Sequence, residues 1–303
     1  MKNGCFEGWY FKQNTKDGGY AVAFIVGRAR DKKGEAHSFI QINQSQLPNT
    51  FYIRFPEEIF SMKDNPLEIR IGNNVFGEQG ILFHHEDDAM QISAQLIFDH
   101  VAKIKKSMLQ PDIMGIFSYL PFLECYHSVH SLHHVTKGSV SINESVYGFD
   151  EGSGYIEGDK GKSFPAGHIW LQSNHFHEEF PVSVVCAVAH VPVLFRTIKG
   201  FLCVLYIDGK EYRFATYNHG KIHRIEKQGQ TVKIELSRGD LRLCMRVSSQ
   251  DGGLLKAPGH GDMSHNLKEN INAVVKVALT EGGKTVFEGT GMNTGFEMNC
   301  FDL

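Results

Sequence analysis

The sequence is 303 residues long, which is beyond the size at which one hydrophobic core usually keeps growing, so two domains are expected. Its 31 basic and 34 acidic residues nearly cancel, and no long run of one sign occurs. Nucleic acid is therefore not an expected partner, because the positive field needed to collect a polyanion is missing.

The longest apolar stretch, residues 181–195, is too short to cross a bilayer and contains two prolines and a histidine. No transmembrane segment is expected, and any contact with a membrane surface is transient. The N-terminus lacks the apolar region of a secretory signal, which favours a cytoplasmic location. The six cysteines form no CxxC pair and are expected to be free, mostly buried thiols.

Strand signals dominate the chain. Short segments rich in β-branched and aromatic residues follow one another: GYAVAFIVGRAR, HSFIQINQ, AMQISAQLIF, SVVCAVAHV, GFLCVLYI, EYRFATY, TVKIELS, LRLCMRV and NAVVKVAL. Turn residues at 16–19, 31–34, 208–209 and 281–283 separate several of them and favour hairpins. The pattern predicts an all-β protein made of up-and-down antiparallel barrels or strongly bent sheets.

A weak internal repeat indicates where the halves meet. FEGWY at 6–10 resembles YIEGD at 155–159, as if each opened a barrel, and the glycine-rich YGFDEGSG lies just before the second copy. The predicted domains are residues 1–150 and 151–303. Within the first, residues 109–134 break the strand alternation and are predicted to form a lid over a barrel mouth.

Polar chemistry is concentrated in residues 154–176. Period-two geometry predicts a row of four residues on one face of a strand: His168, Trp170, Gln172 and Asn174. The tryptophan favours a sheltered, polar barrel interior, wide enough for one ligand. Alternatively, Gln172 and Asn174 satisfy neighbouring backbone while Trp170 only packs.

The carboxylates Glu157 and Asp159 share a face of the preceding strand. In an apolar cavity one of them could keep its proton and act as an acid, or both could be surface groups beside lysines. Four histidines lie nearby in sequence: His127, His130, His133 and His134. Their spacing matches no common metal motif and no carboxylate sits at a matching position, so no metal is expected.

Together these motifs resemble the tocopherol cyclase family. The resemblance is carried by FEGWYFK at 6–12, GYIEGDKGKSFP at 154–165, the W-x-Q-x-N-x-F run at 170–176, LKAP at 255–258 and GMNTGFEM at 291–298. It implies two lipocalin-like antiparallel β-barrels in tandem, related to carotenoid 1,2-hydratases, and the closure of a chromanol ring on a prenylated hydroquinone. His168 stands where tocopherol cyclases often have a tryptophan and where the hydratases have histidine.

The resemblance implies acid-initiated cyclisation or hydration of a prenylated quinol or isoprenoid lipid, without a cofactor. The expected acid is Glu157 or Asp159, with His168 relaying the proton or orienting the acid, and with Gln172 and Asn174 holding the phenol or hydroxyl. The expected substrate-binding residues are Trp9, Tyr10, Tyr126, His127 and Trp170. The alternative is a non-catalytic carrier, because such barrels also serve binding. In both cases the partner is a hydrophobic small molecule, for which 22 phenylalanines offer aromatic walls.

Overall fold

The structure is a computed structural model that describes residues 1–46, 50–88, 90–121, 123–193 and 196–301. The prediction of an all-β protein is confirmed: strands make up the fold, with short 3₁₀ helices at Glu57–Ile59, Gly115–Tyr119 and Thr216–Asn218. The strands are β1 Cys5–Asn14, β2 Ala21–Arg30, β3 Ala36–Gln44, β4 Phe51–Phe55, β5 Phe60–Asp64, β6 Leu67–Ile71, β7 Asn74–Gly77, β8 Gly80–Glu86, β9 Gln91–Ala102, β10 Cys125–Ile142, β11 Ser145–Gly148, β12 Gly152–Gly161, β13 His168–Ser173, β14 His175–Phe176, β15 Val182–Val193, β16 Arg196–Ile207, β17 Lys210–Ala215, β18 Lys221–Gln228, β19 Thr231–Arg238, β20 Leu241–Ser248, β21 Gly253–Gly259, β22 Asp262–Glu281 and β23 Lys284–Asn299. Across the described residues, no helix has the length and hydrophobicity needed to cross a bilayer.

The hairpin turns form where turn residues predicted them. Asp208 and Gly209 have φ angles of 43° and 83° and form a two-residue loop between β16 and β17. Positive φ at both positions is the type I′ geometry, whose twist matches that of paired strands. Gly18, Gly34 and Gly282 also adopt positive φ in the other predicted turns.

The strands form two curled antiparallel sheets of the predicted lipocalin-like type. The first has the order β4-β3-β2-β1-β12-β10-β9-β8-β7-β6-β5, with β11 paired to β10. The second has the order β17-β16-β15-β13-β23-β22-β20-β19-β18, with β14 on β23 and β21 on β22. Nearly every pairing joins strands that are close in sequence, as consecutive hairpins predict.

Each sheet buries an apolar core on one face. Phe11, Phe24 and Ile156 belong to the core of the first sheet, and Ile169 and Leu171 belong to that of the second. Fully burying one such side chain contributes about 1.5–3 kcal/mol, so this face anchors the strand. The opposite faces of β12 and β13 carry most of the polar residues considered above, and these residues are largely buried too. Both faces of β13 are therefore shielded from water.

The chain divides into two compact units, but not at residue 150. The first contains Met1–Ile104, Cys125–Phe164 and Leu255–Asn266, and the second contains Lys105–Glu124, Pro165–Leu254 and Leu267–Leu303. The reason is strand pairing: β12 lies between β1 and β10, with Trp9 opposite Gly158 and Tyr10 opposite Glu157. The two copies of the repeat therefore pair with each other instead of opening separate barrels.

The predicted lid, residues 109–134, is also divided. Residues 125–134 are not a lid, because they form the first half of β10. The preceding segment belongs to the second unit, where the Tyr217 hydroxyl donates to the Ile113 carbonyl at 2.9 Å and the Glu211 carboxylate accepts from the Lys105 amide. Arg213 pairs with Glu211 at 2.7 Å, and both side chains are buried. Whether residues 109–124 cover a binding site stays a prediction.

Candidate functional site

In the first unit, the pairing of β10 with β12 assembles a cluster of acid and base groups. The register places His127 directly opposite Asp159 and Val129 directly opposite Glu157. Residues opposite one another on paired strands project from the same face, as do residues two apart along a strand. His127, Glu157 and Asp159 therefore share one face, and we call them the His127 cluster.

The imidazole of His127 lies between the two carboxylates. Its Nδ1 is 2.9 Å from Asp159 Oδ1, and its Nε2 is 3.5 Å from Glu157 Oε2. Only 4% of Glu157 is exposed, whereas 22% of the Asp159 side chain is exposed. An ionised carboxylate can only accept, so Nδ1–H donates to Asp159 and Nε2 faces Glu157. This geometry places His127 Nε2 beside Glu157, while Asp159 holds the ring through Nδ1.

Two tyrosines border the buried carboxylate. The Tyr155 hydroxyl donates to Glu157 Oε2 at 2.6 Å, and the Tyr155 side chain is fully buried. This bond holds the carboxylate in one position. Tyr10 of β1 lies directly opposite Glu157 in the register and thus on the same face. Tyr10 is largely buried, so it provides an aromatic surface beside the carboxylate.

Two of the predicted aromatic ligand contacts lie on the other face. Trp9 precedes Tyr10 and belongs to the apolar core, where its ring stacks on Phe60 at a centroid distance of 6.4 Å. A Cβ atom at Gly158 would lie 2.7 Å from Trp9 Cδ1, so glycine is required there. Tyr126 precedes His127 and therefore also projects from the face opposite the His127 cluster. Strand alternation separates both residues from Glu157.

The second unit contains the predicted polar row and a second histidine–carboxylate pair. His168 Nε2 is 3.3 Å from Glu297 Oε2, and its Nδ1 is 3.0 Å from the Pro165 carbonyl oxygen. Trp170 lies directly opposite Glu297 on β23. His168 was expected to relay a proton to Glu157 or Asp159, or to orient that acid. In the structure it is His127 that contacts both of those carboxylates, while His168 contacts Glu297 in the other unit.

The polar row does not line the packed interior of its barrel. Gln172 and Asn174 project from the face opposite the apolar core, and the Gln172 amide donates to Asn174 Oδ1 at 3.2 Å. Glu269, only 1% exposed, lies directly opposite Glu297 in the register of β22 and β23. Neither glutamate was predicted as a site residue. Glu297 lies in the GFEM motif, which was the one available signal, whereas the position of Glu269 depends on a strand register that the sequence does not reveal.

The four neighbouring histidines do not form one site. His134 accepts or donates at both ring nitrogens, with Ser131 Oγ at 2.9 Å and Gln13 Oε1 at 3.1 Å. Complete burial lowers its pKa well below the usual value, with a smaller contribution from His133. His130 Nε2 is 3.4 Å from Ser128 Oγ. The expectation that no carboxylate matches these histidines is wrong for His127, because Asp159 and Glu157 come from the next strand of the sheet.

A further buried histidine lies at the edge of the first sheet. Arg54 Nη2 donates to His37 Nδ1 at 3.2 Å, and His37 Nε2 is 2.7 Å from the Tyr52 hydroxyl. A ring that accepts at Nδ1 must be neutral. In agreement, burial and then the charge of Arg54 lower the pKa of His37 to about 4. This group stabilises the fold only while it is uncharged.

The first unit also has an open cleft of about 720 Å³, apart from the His127 cluster. Tyr20 and Tyr147 stack in its wall with ring centroids 3.7 Å apart, and Lys16 and Asp17 line its polar side. No residue of the His127 cluster lines it. Among the described residues, the lining of the cleft includes no set of histidine and carboxylate groups comparable with the His127 cluster.

Residues 69–299 of the chain match the tocopherol cyclase-like family, a range that includes both carboxylates of the His127 cluster. The chain belongs to this family. The match covers most of the sequence and confirms the resemblance seen in the motifs. No curated protein matches the sequence significantly.

Solved structures share the fold of this tocopherol cyclase-like protein. CghA in complex with Sch210972 has a TM-score of 0.61 at 12% identity, over 97% of this chain and 88% of CghA. Kievitone hydratase from Nectria haematococca has a TM-score of 0.53 at 11% identity, over 97% and 89% of the chains. An AttH-like protein from Nitrosomonas europaea has a TM-score of 0.52 at 12% identity, over 96% and 92%. At these identities the similarity shows the fold alone.

Proposed function

We propose that the protein catalyses acid-initiated cyclisation or hydration of a prenylated quinol or isoprenoid lipid, with Glu157 as the proton donor. The observation that carries this proposal is the contact between the buried carboxyl group of Glu157 and Nε2 of His127, whose Nδ1 contacts the carboxylate of Asp159. Membership of the tocopherol cyclase-like family supports cyclisation, and the name of kievitone hydratase supports hydration on this fold. No cofactor takes part in the proposed step.

The proposed reaction begins with transfer of the Glu157 proton to an alkene carbon. A new C–H bond forms and leaves a tertiary cation on the neighbouring carbon. In cyclisation the phenol oxygen of the same molecule attacks this cation and closes a C–O bond, whereas in hydration a water oxygen attacks. The attacking oxygen then loses its proton to Glu157, directly or through His127, and the starting state returns.

The surroundings of Glu157 suit this chemistry. Tyr10 shares its face and offers an aromatic ring, and ring faces stabilise cations. Burial limits the water that could capture a cation during cyclisation. Asp159 is the more exposed carboxylate and holds Nδ1 of His127, so it is a positioning residue and Glu157 is the acid.

The test is incubation with a panel of prenylated hydroquinones and isoprenoid lipids in D₂O, followed by mass spectrometry. Alkene protonation places a deuterium on carbon that washing does not remove. The wild-type protein should give a product labelled with one carbon-bound deuterium. Glu157→Gln keeps the shape of the side chain but cannot supply the proton, so this product should be absent while the melting temperature is nearly unchanged.

Glu297→Gln is the matched control, because Glu297 is also a partly shielded glutamate held by a histidine. Labelling that survives Glu297→Gln and disappears in Glu157→Gln supports the assignment to the His127 cluster. The reverse pattern would move the acid to the second unit. A lipid that binds without labelling in every variant would instead favour a non-catalytic carrier.

A further inference from the structure

We infer that the His127 cluster is also a binding site for a divalent metal ion of the zinc type, and that the bound ion inhibits the enzyme. Among the residues that the structure describes, this is the one set in which a histidine and two carboxylates bring ligand atoms within 4.8 Å of one another. The binding part of the inference stands on this geometry. The inhibition part rests on the proposed function.

The distances fit a tetrahedral ion. Two ligand atoms that each lie about 2.1 Å from zinc are separated by about 3.4 Å in a tetrahedral site. His127 Nε2 and Glu157 Oε2 are 3.5 Å apart, so an ion can bind both with little movement of either side chain. The remaining positions are left for water, because the two strands supply these ligands from one face only.

Asp159 provides the second contact that metal-bound histidines usually have. It accepts from Nδ1–H at 2.9 Å, which keeps the lone pair on Nε2, directed at Glu157. A set of imidazole nitrogen and carboxylate oxygen favours zinc over magnesium or calcium. An ion can reach the site because Asp159 and His127 are partly exposed.

Occupancy by a cation blocks the proposed acid step for a simple reason. A metal ion bound to Glu157 takes the oxygen lone pair that would hold the proton, and an ion on Nε2 prevents His127 from replacing that proton. The cluster therefore carries either a mobile proton or a metal ion.

The experiment is a calorimetric titration of chelator-treated, desalted protein with Zn²⁺ alone, with bound zinc counted by elemental analysis after dialysis. The wild-type protein should bind one ion that is absent in His127→Ala and in Glu157→Gln. Asp159→Asn should weaken this binding 10- to 100-fold, the usual effect of losing the carboxylate behind a metal-bound histidine. His85→Ala is the matched control, because His85 also contacts an aspartate, at 3.1 Å, but has no second carboxylate there among the described groups. It should bind zinc like the wild type.

Zinc binding that is equal in the wild type and in both His127→Ala and Glu157→Gln would overturn the inference, as would no binding at all. If His127→Ala does not fold, Glu157→Gln and Asp159→Asn decide, since both preserve side-chain shape. The titration needs no substrate, so it tests zinc binding independently of the proposed acid. Full turnover of Glu157→Gln in metal-free buffer would show that the proposed acid is wrong, and zinc binding to the wild type could still be confirmed. Where both hold, zinc should abolish wild-type labelling in D₂O, and persistent labelling at saturating zinc would refute the inhibition.

Discussion

Gly154→Ala should strongly destabilise the first unit, because Gly154 makes room for a buried hydrogen bond. A Cβ atom at this position would lie 2.0 Å from His134 Nε2 and 2.2 Å from Gln13 Oε1, which bond to each other at 3.1 Å. His134 and Gln13 are fully buried. The methyl group must push them apart, which leaves the buried His134 Nε2 without a partner at about 1–3 kcal/mol. Gln13 Oε1 still accepts from Thr136 Oγ1 at 2.8 Å. Overpacking adds about 1–3 kcal/mol, so we expect a total loss of about 2–6 kcal/mol.

Urea denaturation measures this loss, with Gly148→Ala as the control. Gly148 lies on β11 of the same unit, and a Cβ atom there would have no atom within 4 Å, so its substitution should change stability by at most about 0.5 kcal/mol. Adding His134→Ala to Gly154→Ala should recover part of the loss, because the imidazole no longer occupies the space of the methyl group. If Gly154→Ala unfolds at the same urea concentration as Gly148→Ala, the close packing of this network is refuted.

Three further predictions concern charge. Asp159→Asn should lower kcat about tenfold with little change in KM. The neutral amide stabilises a charged His127 ring by about 1–1.5 kcal/mol less than the carboxylate does. A purely structural role of Asp159 would instead alter Tm and leave kcat intact. The folded-state pKa of His37, about 4, lies below its unfolded value, so its contribution to stability should be present above pH 6.5 and disappear as pH falls towards 4. His37→Gln should flatten that decline in denaturation midpoints, and an unchanged slope would contradict the assignment. Glu211→Gln should lower the free energy of unfolding, measured by urea denaturation, by about 3–5 kcal/mol, because it leaves Arg213 buried without its charged partner. A decrease of less than about 1 kcal/mol would contradict this prediction.

The fold could largely be predicted from the sequence, because hairpins are local. The Asp208-Gly209 turn supplies positive φ within two residues, and the strands on either side alternate in a way that a short window detects. The division of the chain could not be predicted in the same way. β12 pairs with β1 across more than a hundred residues of sequence, so its similarity to β1 indicated a repeat while concealing that the two strands are neighbours.

The site could be predicted only in part, for the same reason. Glu157 and Asp159 are two residues apart on one strand, so their shared face follows from strand geometry. His127 joins them through the register of β10 and β12, which depends on two irregularities in that pairing, between Val129 and Ser131 and again further along. No local pattern encodes those shifts. Trp9 and Tyr10 were both expected to line the ligand cavity, but adjacent strand residues project from opposite faces, and Trp9 packs in the core.

His127 in the first unit and His168 in the second have different polar groups around their rings. This difference favours the His127 cluster as the centre of the proposed acid chemistry. His127 Nε2 and His168 Nε2 each lie beside a glutamate oxygen, at 3.5 Å and 3.3 Å. On the other side His168 meets the neutral Pro165 carbonyl, which orients a ring but does little to stabilise a positive charge on it. His127 meets the carboxylate of Asp159, which does both. A histidine that must repeatedly take up and release a proton needs the second arrangement, so Glu157→Gln and Glu297→Gln should differ in turnover even though the two glutamates occupy similar positions beside a histidine.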